Sequence, residues 1–279
     1  MINFPYHFAR AEGWITRNIY RIALPLTARR GTTPPHPIDV DVFAYSGEAA
    51  LPEQVASIRS FLKYAGRPKC FTVISDGTYT PRSTRLLESI DPSVCVRQSV
   101  PPPEGIASEK LRHYLTAHST GKQLALIMSL PANFPALYVD SDVLFFPGAA
   151  DLVRCIATHH APAYYLADCT FAGDPRLLHD PAEQKNPVNT GALLLFEKLD
   201  WSVSINRFLE LDGEPSFFSN QTMTQLTMHA NGAQPFDRTK YVLQVDDQFV
   251  YRDFYAGESL AMRHYVNPVR HKLWTRFAR

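Results

Sequence analysis

Apolar positions along the chain fall into two kinds of run that alternate. Short stretches rich in β-branched and aromatic residues occupy positions 40–45, 70–75, 94–98, 137–139, 164–167 and 192–196 and read as strands. Between them the apolar residues are spaced for helices. Val55, Ile58, Leu62 and Ala65 form one stripe, and residues 84–90, 109–118, 122–130 and 219–230 are further helical segments. Repeated strand, helix, strand units predict an α/β fold, with a mostly parallel sheet, right-handed crossovers and helices on both faces. Ligands of such a sheet gather beyond the carboxyl ends of its strands. The chain shows no internal repeat.

Two proline-rich breaks punctuate this pattern, at residues 101–105 and 32–37. The second separates an N-terminal arm (1–37) from a single Rossmann-like domain (38–279). In the arm, Ile15, Ile19 and Ile22 recur at helical spacing while Arg10, Arg17 and Arg21 interrupt them. That is the pattern of a basic amphipathic helix, which either packs on the domain or docks peripherally on a membrane surface. Packing is the reading favoured here.

Composition narrows the partners. Lysine plus arginine number 28 against 27 acidic residues, a net charge of +1, so no overall field selects nucleic acid or an anionic membrane. Recognition of phosphates must then be local. Cys70, Cys95, Cys155 and Cys169 are widely spaced and form no C-x-x-C pair, so they are expected to be reduced core residues. The sequence MINFPYHFAR lacks the features of a secretory signal, and no apolar run is long enough to span a bilayer. A cytoplasmic protein is expected.

The candidate chemistry centres on Asp140 and Asp142, which follow Leu-Tyr-Val at the end of a strand. Two aspartates separated by one residue project to the same side of an extended backbone and can grip one ion. Magnesium and manganese prefer carboxylate oxygens and keep open positions for phosphate oxygens. Asp39 and Asp41 have the same spacing but lie at the beginning of a strand, away from the ligand-binding end. A turn satisfied by its own aspartates is the structural alternative. Against it, the apolar Val-Leu-Phe-Phe that follows would bury unpaired carboxylates at a cost.

LYVDSDVLFF resembles the metal-binding segment of GT-A fold glycosyltransferases, especially the glycogenin-like family 8 enzymes. The likeness covers most of the chain after Pro37, with three short distinctive segments. It implies a metal-dependent transferase that moves a sugar from a nucleotide diphosphate donor, expected to be a UDP-sugar, to a hydroxyl with retention of configuration. The ion is Mn2+ or Mg2+. In the family the second aspartate chelates the ion and the first contacts ion and ribose, roles that fall to Asp142 and Asp140.

Asn189, Thr190 and Gly191 resemble the family's asparagine, small residue, glycine segment beside the donor sugar. An amide offers the donor and acceptor a sugar hydroxyl requires, and glycine permits close approach. A plain asparagine turn fits the residue types equally well. RHYVNPVRHKLW resembles the family's C-terminal segment, which implies that His264 is the third metal ligand and Lys272 the diphosphate contact. This segment departs from the pattern: Lys272 lies two positions farther from the histidine, Asn267 and Pro268 occupy the glycine region, and Leu273 replaces proline. Arg270 and His271 are therefore alternatives to Lys272. Asn220 and Gln221 stand where the family often has an aspartate and a glutamine, so Gln221 is a candidate to stabilise charge at the sugar, without the carboxylate.

Tyr45, at the end of the first strand, occupies the place where GT-A enzymes hold the nucleoside, and the resemblance implies that it stacks on the base; an aromatic there is as often core. Asp76 is a base or ribose contact or, the favoured reading, a turn residue, and Lys122 resembles a basic residue ahead of the family's metal motif that reaches the donor phosphates, with an exposed helix lysine as the alternative. Asp246 and Asp247 either orient an acceptor or form an exposed turn, with the turn favoured. The acceptor itself, whether glycan, lipid-linked or protein, is not specified by the sequence. Two other readings stay open: a sugar nucleotidyltransferase, which should carry a glycine-rich, lysine-containing loop where this chain has SGEAALPEQ, and a noncatalytic nucleotide-sugar-binding protein.

Overall fold

The computed structural model describes residues 3–99, 103–131 and 135–275. Of the break at 101–105, Pro101 and Pro102 lie outside these residues. Four parallel strands begin the main sheet: β1 (Pro37–Ser46), β2 (Arg67–Ser75), β3 (Val94–Arg97) and β4 (Ala136–Val139). Helices α2 (Leu51–Tyr64), α3 (Pro81–Glu88), α4 (Glu109–Ala117) and α5 (Ser119–Met128) connect them. With β6 (Ala163–Ala167), β7 (Val188–Leu195) and β8 (Gln234–Pro235) the sheet has seven strands, in the order β3-β2-β1-β4-β7-β6-β8. Within it β7 alone runs against its neighbours. The sheet is therefore mostly parallel, as the sequence pattern predicts.

Central strands buried on both faces explain the continuous apolar runs. Alternate residues of β4 go to opposite sides: Leu137 and Val139 join Val55, Ile58 and Leu62 of α2, while Ala136 and Tyr138 join Leu124 and Ile127 of α5. The second cluster is completed by α7 (Ser202–Glu210) and α8 (Ser219–Ala230), which supply Phe208 and Met223. The helix expected at 219–230 thus has those bounds, whereas α7 and α6 (Asp151–Ala157) lie where the sequence pattern is irregular.

A small sheet, β5-β10-β9, stands beside the large one, formed by β5 (Val143–Phe145), β9 (Tyr241–Val242) and β10 (Met262–His264). The chain passes from β4 into β5 through residues 140–142. These form a turn in which the Val143 N–H donates to the Asp140 carbonyl at 3.2 Å. Asp140 and Asp142 therefore converge because the chain changes sheets, not through the alternation of one strand.

The helix expected in the arm is α1 (Phe4–Arg29), which packs through Ala9, Gly13, Leu24 and Ala28 on α2 and on α9 (Arg270–Thr275). Other expectations need correction. The four cysteines are free and only partly buried, with Cys155 and Cys169 packed against the edge of the core. Asn189 is in β7, not in a turn before it: it pairs with Leu166 of β6, next to a register slip between Tyr165 and Leu166 that leaves Thr190, Gly191 and Ala192 without partners on β6. Asp247 is fully buried, not in an exposed turn: Arg263, itself fully buried, donates to Asp247 Oδ1 at 2.9 Å and Oδ2 at 3.1 Å and also to Asp253.

Removing one member of such a network strands the others as buried charges. Arg263→Met is expected to cost about 3–5 kcal/mol in urea unfolding. Asp246→Ala, at the exposed neighbour, is expected to cost under about 1 kcal/mol.

Candidate functional site

The carboxyl ends of β1, β4 and β6 open onto a cleft of about 820 Å³, within the range of small-molecule sites, about 300–1,000 Å³. Asp140 closes β4. Its N–H donates to the Gly191 carbonyl at 2.9 Å, and its Oδ1 accepts from Tyr138 Oη at 2.7 Å and Gln123 Nε2 at 3.0 Å. Asn220 of α8 donates in turn to Gln123 Oε1 at 2.8 Å, which fixes the amide. Oδ1 of Asp140 is thus committed to the protein, and Oδ2 points toward His264 Nε2 at 3.6 Å.

His264, at the end of β10, reaches between the two aspartates. Its Nε2 is 3.0 Å from Asp142 Oδ1 and its Nδ1 is 2.9 Å from Asn189 Oδ1. The orientation of the asparagine decides the tautomer. Asn189 Nδ2 donates to Asp168 Oδ2 at 2.8 Å, and Oδ1 accepts from the Gly191 N–H at 2.8 Å. The group facing His264 is therefore an acceptor, so Nδ1 carries a proton and Nε2 offers its lone pair whenever the ring is neutral. Gly191 makes room for the ring: a Cβ there would lie 2.2 Å from His264 Nδ1.

Ligand atoms of Asp140, Asp142 and His264 all lie within 4.8 Å of one another. Two hard carboxylate oxygens and one imidazole nitrogen suit manganese or magnesium. The two carboxylates need positive charge beside them. Burial pushes the Asp140 carboxyl up to about 6, with the Asp142 charge adding to it against the pull of His264. Burial also raises Asp142, but His264 and Arg270 outweigh it and hold that group at about 2. Burial alone would lower His264, yet the adjoining carboxylates keep it above its ordinary value. The Arg270 guanidinium, 2.5 Å from Asp142 Oδ2, supplies positive charge from the cleft wall. The residues present thus fit a divalent ion.

Tyr45, Asn189 and Gln221 line the same cleft, and Tyr45 Oη has no hydrogen-bond partner among the described residues. Gly191 stands behind His264. Lys272 is not in the cleft. It is fully buried and donates to the carbonyls of Val250 and Arg252 at 2.9 and 2.7 Å, so the two-residue displacement in the sequence gives the cleft position to Arg270. Lys122 does not line the cleft either, although its neighbour Gln123 does. Asp76 accepts from the N–H and hydroxyl of Thr78, the turn arrangement, and crowds Gly47. Asp39 pairs with Lys69 at 3.6 Å at the amino end of β1, remote from the site.

Asp168 was missed in the sequence. It follows β6, accepts from Asn189, and accepts from Gln221 Nε2 at 3.3 Å. Its place one residue past a strand's carboxyl end was the available signal.

The fold is shared with solved glycosyltransferases of the GT-A type. The structure superposes on the apo form of WbbM, a bifunctional glycosyltransferase, with a TM-score of 0.54 at 13% identity, covering 86% of this chain and 48% of that one. For apo GlyE of Streptococcus pneumoniae the values are 0.54, 13%, 86% and 60%. For the galactosyltransferase LgtC, in complex with donor and acceptor sugar analogues, they are 0.54, 15%, 86% and 95%. The chain thus spans about half of WbbM and 60% of GlyE. At these identities the likeness establishes the fold. No protein-family model matches the chain, and no curated protein matches it in sequence.

Gly191→Ala should displace the His264 ring and lower manganese affinity about 10- to 100-fold, the range for loss of a ligand's supporting contacts. Electron paramagnetic resonance of free manganese, with circular dichroism as the folding control, measures this.

Proposed function

We propose that the protein transfers a sugar from a nucleotide diphosphate donor, a UDP-sugar, to a hydroxyl acceptor with retention of configuration. The observation that carries this reading is the Asp140, Asp142, His264 trio at the carboxyl ends of a GT-A sheet, beside a cleft of about 820 Å³. Asp140, Asp142 and His264 would hold Mn2+ or Mg2+, which supplies positive charge against the diphosphate leaving group. Arg270 lies on the cleft wall and pairs with diphosphate oxygens, a role to which planar guanidinium groups are suited. Tyr45, whose hydroxyl has no partner among the described residues, meets the nucleoside.

Asn189 and Gln221 face the donor sugar. Both amides donate to Asp168, which orients them and sets a carboxylate close to the reacting carbon where the sequence next to Gln221 lacks one. The acceptor is a hydroxyl of a glycan, a lipid-linked sugar or a protein. Four free cysteines suit a reducing compartment such as the cytoplasm.

Unfolding with UDP and manganese tests the reading. Ligand at a hundred times its dissociation constant adds about 2.7 kcal/mol, which raises the unfolding midpoint by several degrees in a chain this long. The rise is expected in wild type only when both are present, and it is expected to vanish in Asp142→Ala. Turnover of UDP-sugars to UDP, dependent on manganese, separates a transferase from a binding protein. Release of pyrophosphate from UTP and a sugar phosphate would instead mark a nucleotidyltransferase.

A further inference from the structure

The outward face of α1 has no partner among the described residues. Phe4, Phe8, Ile15, Ile19, Ile22 and Leu26 recur at intervals of three, four and seven along its whole length and are between 49% and 82% exposed. One turn of helix advances 3.6 residues, so all six project along one narrow line. The opposite face is fixed in place: Ala9, Gly13, Leu24 and Ala28 are buried against the domain, and a Cβ at Gly13 would lie 2.5 Å from the His271 carbonyl oxygen. The helix cannot turn its stripe inward. An exposed apolar band of this length marks an interaction surface.

Charge selects the occupant. Arg10, Arg17, Arg21 and Arg29 stand in α1 against a single acid, Glu12, which is engaged by the Tyr251 hydroxyl. The helix is strongly basic in a chain whose net charge is +1. Arg17 is tied to Glu53 at 2.5 Å; Arg10 and Arg21, seven residues before it and four after, are exposed on the same flank of the helix, and Arg29 is exposed nearer the stripe. Trp14, 69% exposed, lies between the stripe and this arginine flank, the position an indole takes at the boundary of headgroup and acyl chain. An anionic bilayer surface supplies the matching charge and accepts the apolar side chains. No helix among the described residues is long and apolar enough to cross a membrane, so the geometry is that of a helix lying in the interface.

We propose that α1 is an in-plane membrane helix that docks the protein on an anionic bilayer. Its stripe enters the interface and its arginines meet lipid phosphates. Arg17 lines the cleft from the other side of the same helix, so docking holds one wall of the cleft about a helix diameter, roughly 10 Å, from the membrane. The benefit to a lipid-borne acceptor rests on the transferase reading; the docking itself does not.

Co-sedimentation of the full chain with vesicles, in the absence of donor and metal, tests this. The protein should pellet with an equal mixture of phosphatidylcholine and phosphatidylglycerol, less with phosphatidylcholine alone, and less again as salt is raised. Trp201 and Trp274 are buried, so a blue shift of tryptophan emission on binding reports Trp14, and Trp14→Phe should abolish it. Ile19→Glu with Ile22→Glu, both at exposed positions, should reduce binding at least about tenfold with an unchanged unfolding midpoint, and Arg10→Gln with Arg21→Gln should reduce it on the anionic vesicles alone. Wild type that ignores anionic vesicles, or a double glutamate variant that binds them as well as wild type, overturns the proposal. So does a concentration-dependent dimer in sedimentation velocity that the glutamates dissolve while vesicles leave wild type unbound. None of these results touches the transferase reading, which is tested by UDP and manganese.

Discussion

Two carboxylates placed side by side at low exposure are tolerable only if positive charge stands with them, and the site is organised around that requirement. Asp140 and Asp142 retain 23% and 9% side-chain exposure at the junction of two sheets. Burial drives the Asp140 carboxyl toward its neutral form, while His264 and Arg270 keep Asp142 ionised. The turn between β4 and β5 delivers the aspartates, the small sheet delivers the histidine, and α9 delivers the arginine. No single element would make the site alone.

Around this charge the neighbouring groups act as orienting contacts. Asp168 fixes the Asn189 amide, the amide fixes the His264 tautomer, and the missing side chain of Gly191 admits the ring. Asn220 fixes Gln123, and Gln123 with Tyr138 occupies one oxygen of Asp140. Each contact removes a degree of freedom before any ligand arrives, the kind of preorganisation that lets a polar site stabilise charge without rearranging. It also explains why three polar ligand atoms can stand within 4.8 Å of one another in a chain with almost no net charge.

How much was legible in the sequence followed from periodicity. Strands buried on both faces and helices with one apolar stripe declare themselves, so β1 to β4, β6, β7, α2 to α5 and α8 could be read along with the α/β class. The small sheet could not, because strands of two or three residues are too short to show alternation. At the site, the Asp140, Asp142 and His264 types and their placement were legible from motif likeness. Lys272 was assigned by counting along a segment whose spacing departs from the family, and the extra residues turn it into the core beside Asp247 while Arg270 faces the cleft. Asp168 and the burial of Asp247 depend on partners 21 and 16 residues away in sequence, which local pattern does not reveal.

The central claim is that one divalent cation binds between Asp140, Asp142 and His264 and meets a diphosphate there. Crystals soaked with manganese and UDP, measured for manganese anomalous scattering, test it directly. One strong peak bonded to the two carboxylates and the imidazole is expected, with the pyrophosphate against it and Arg270 moved from Asp142 to phosphate. UDP bound in the cleft with no anomalous peak at the trio, and Arg270 still on Asp142, would contradict it.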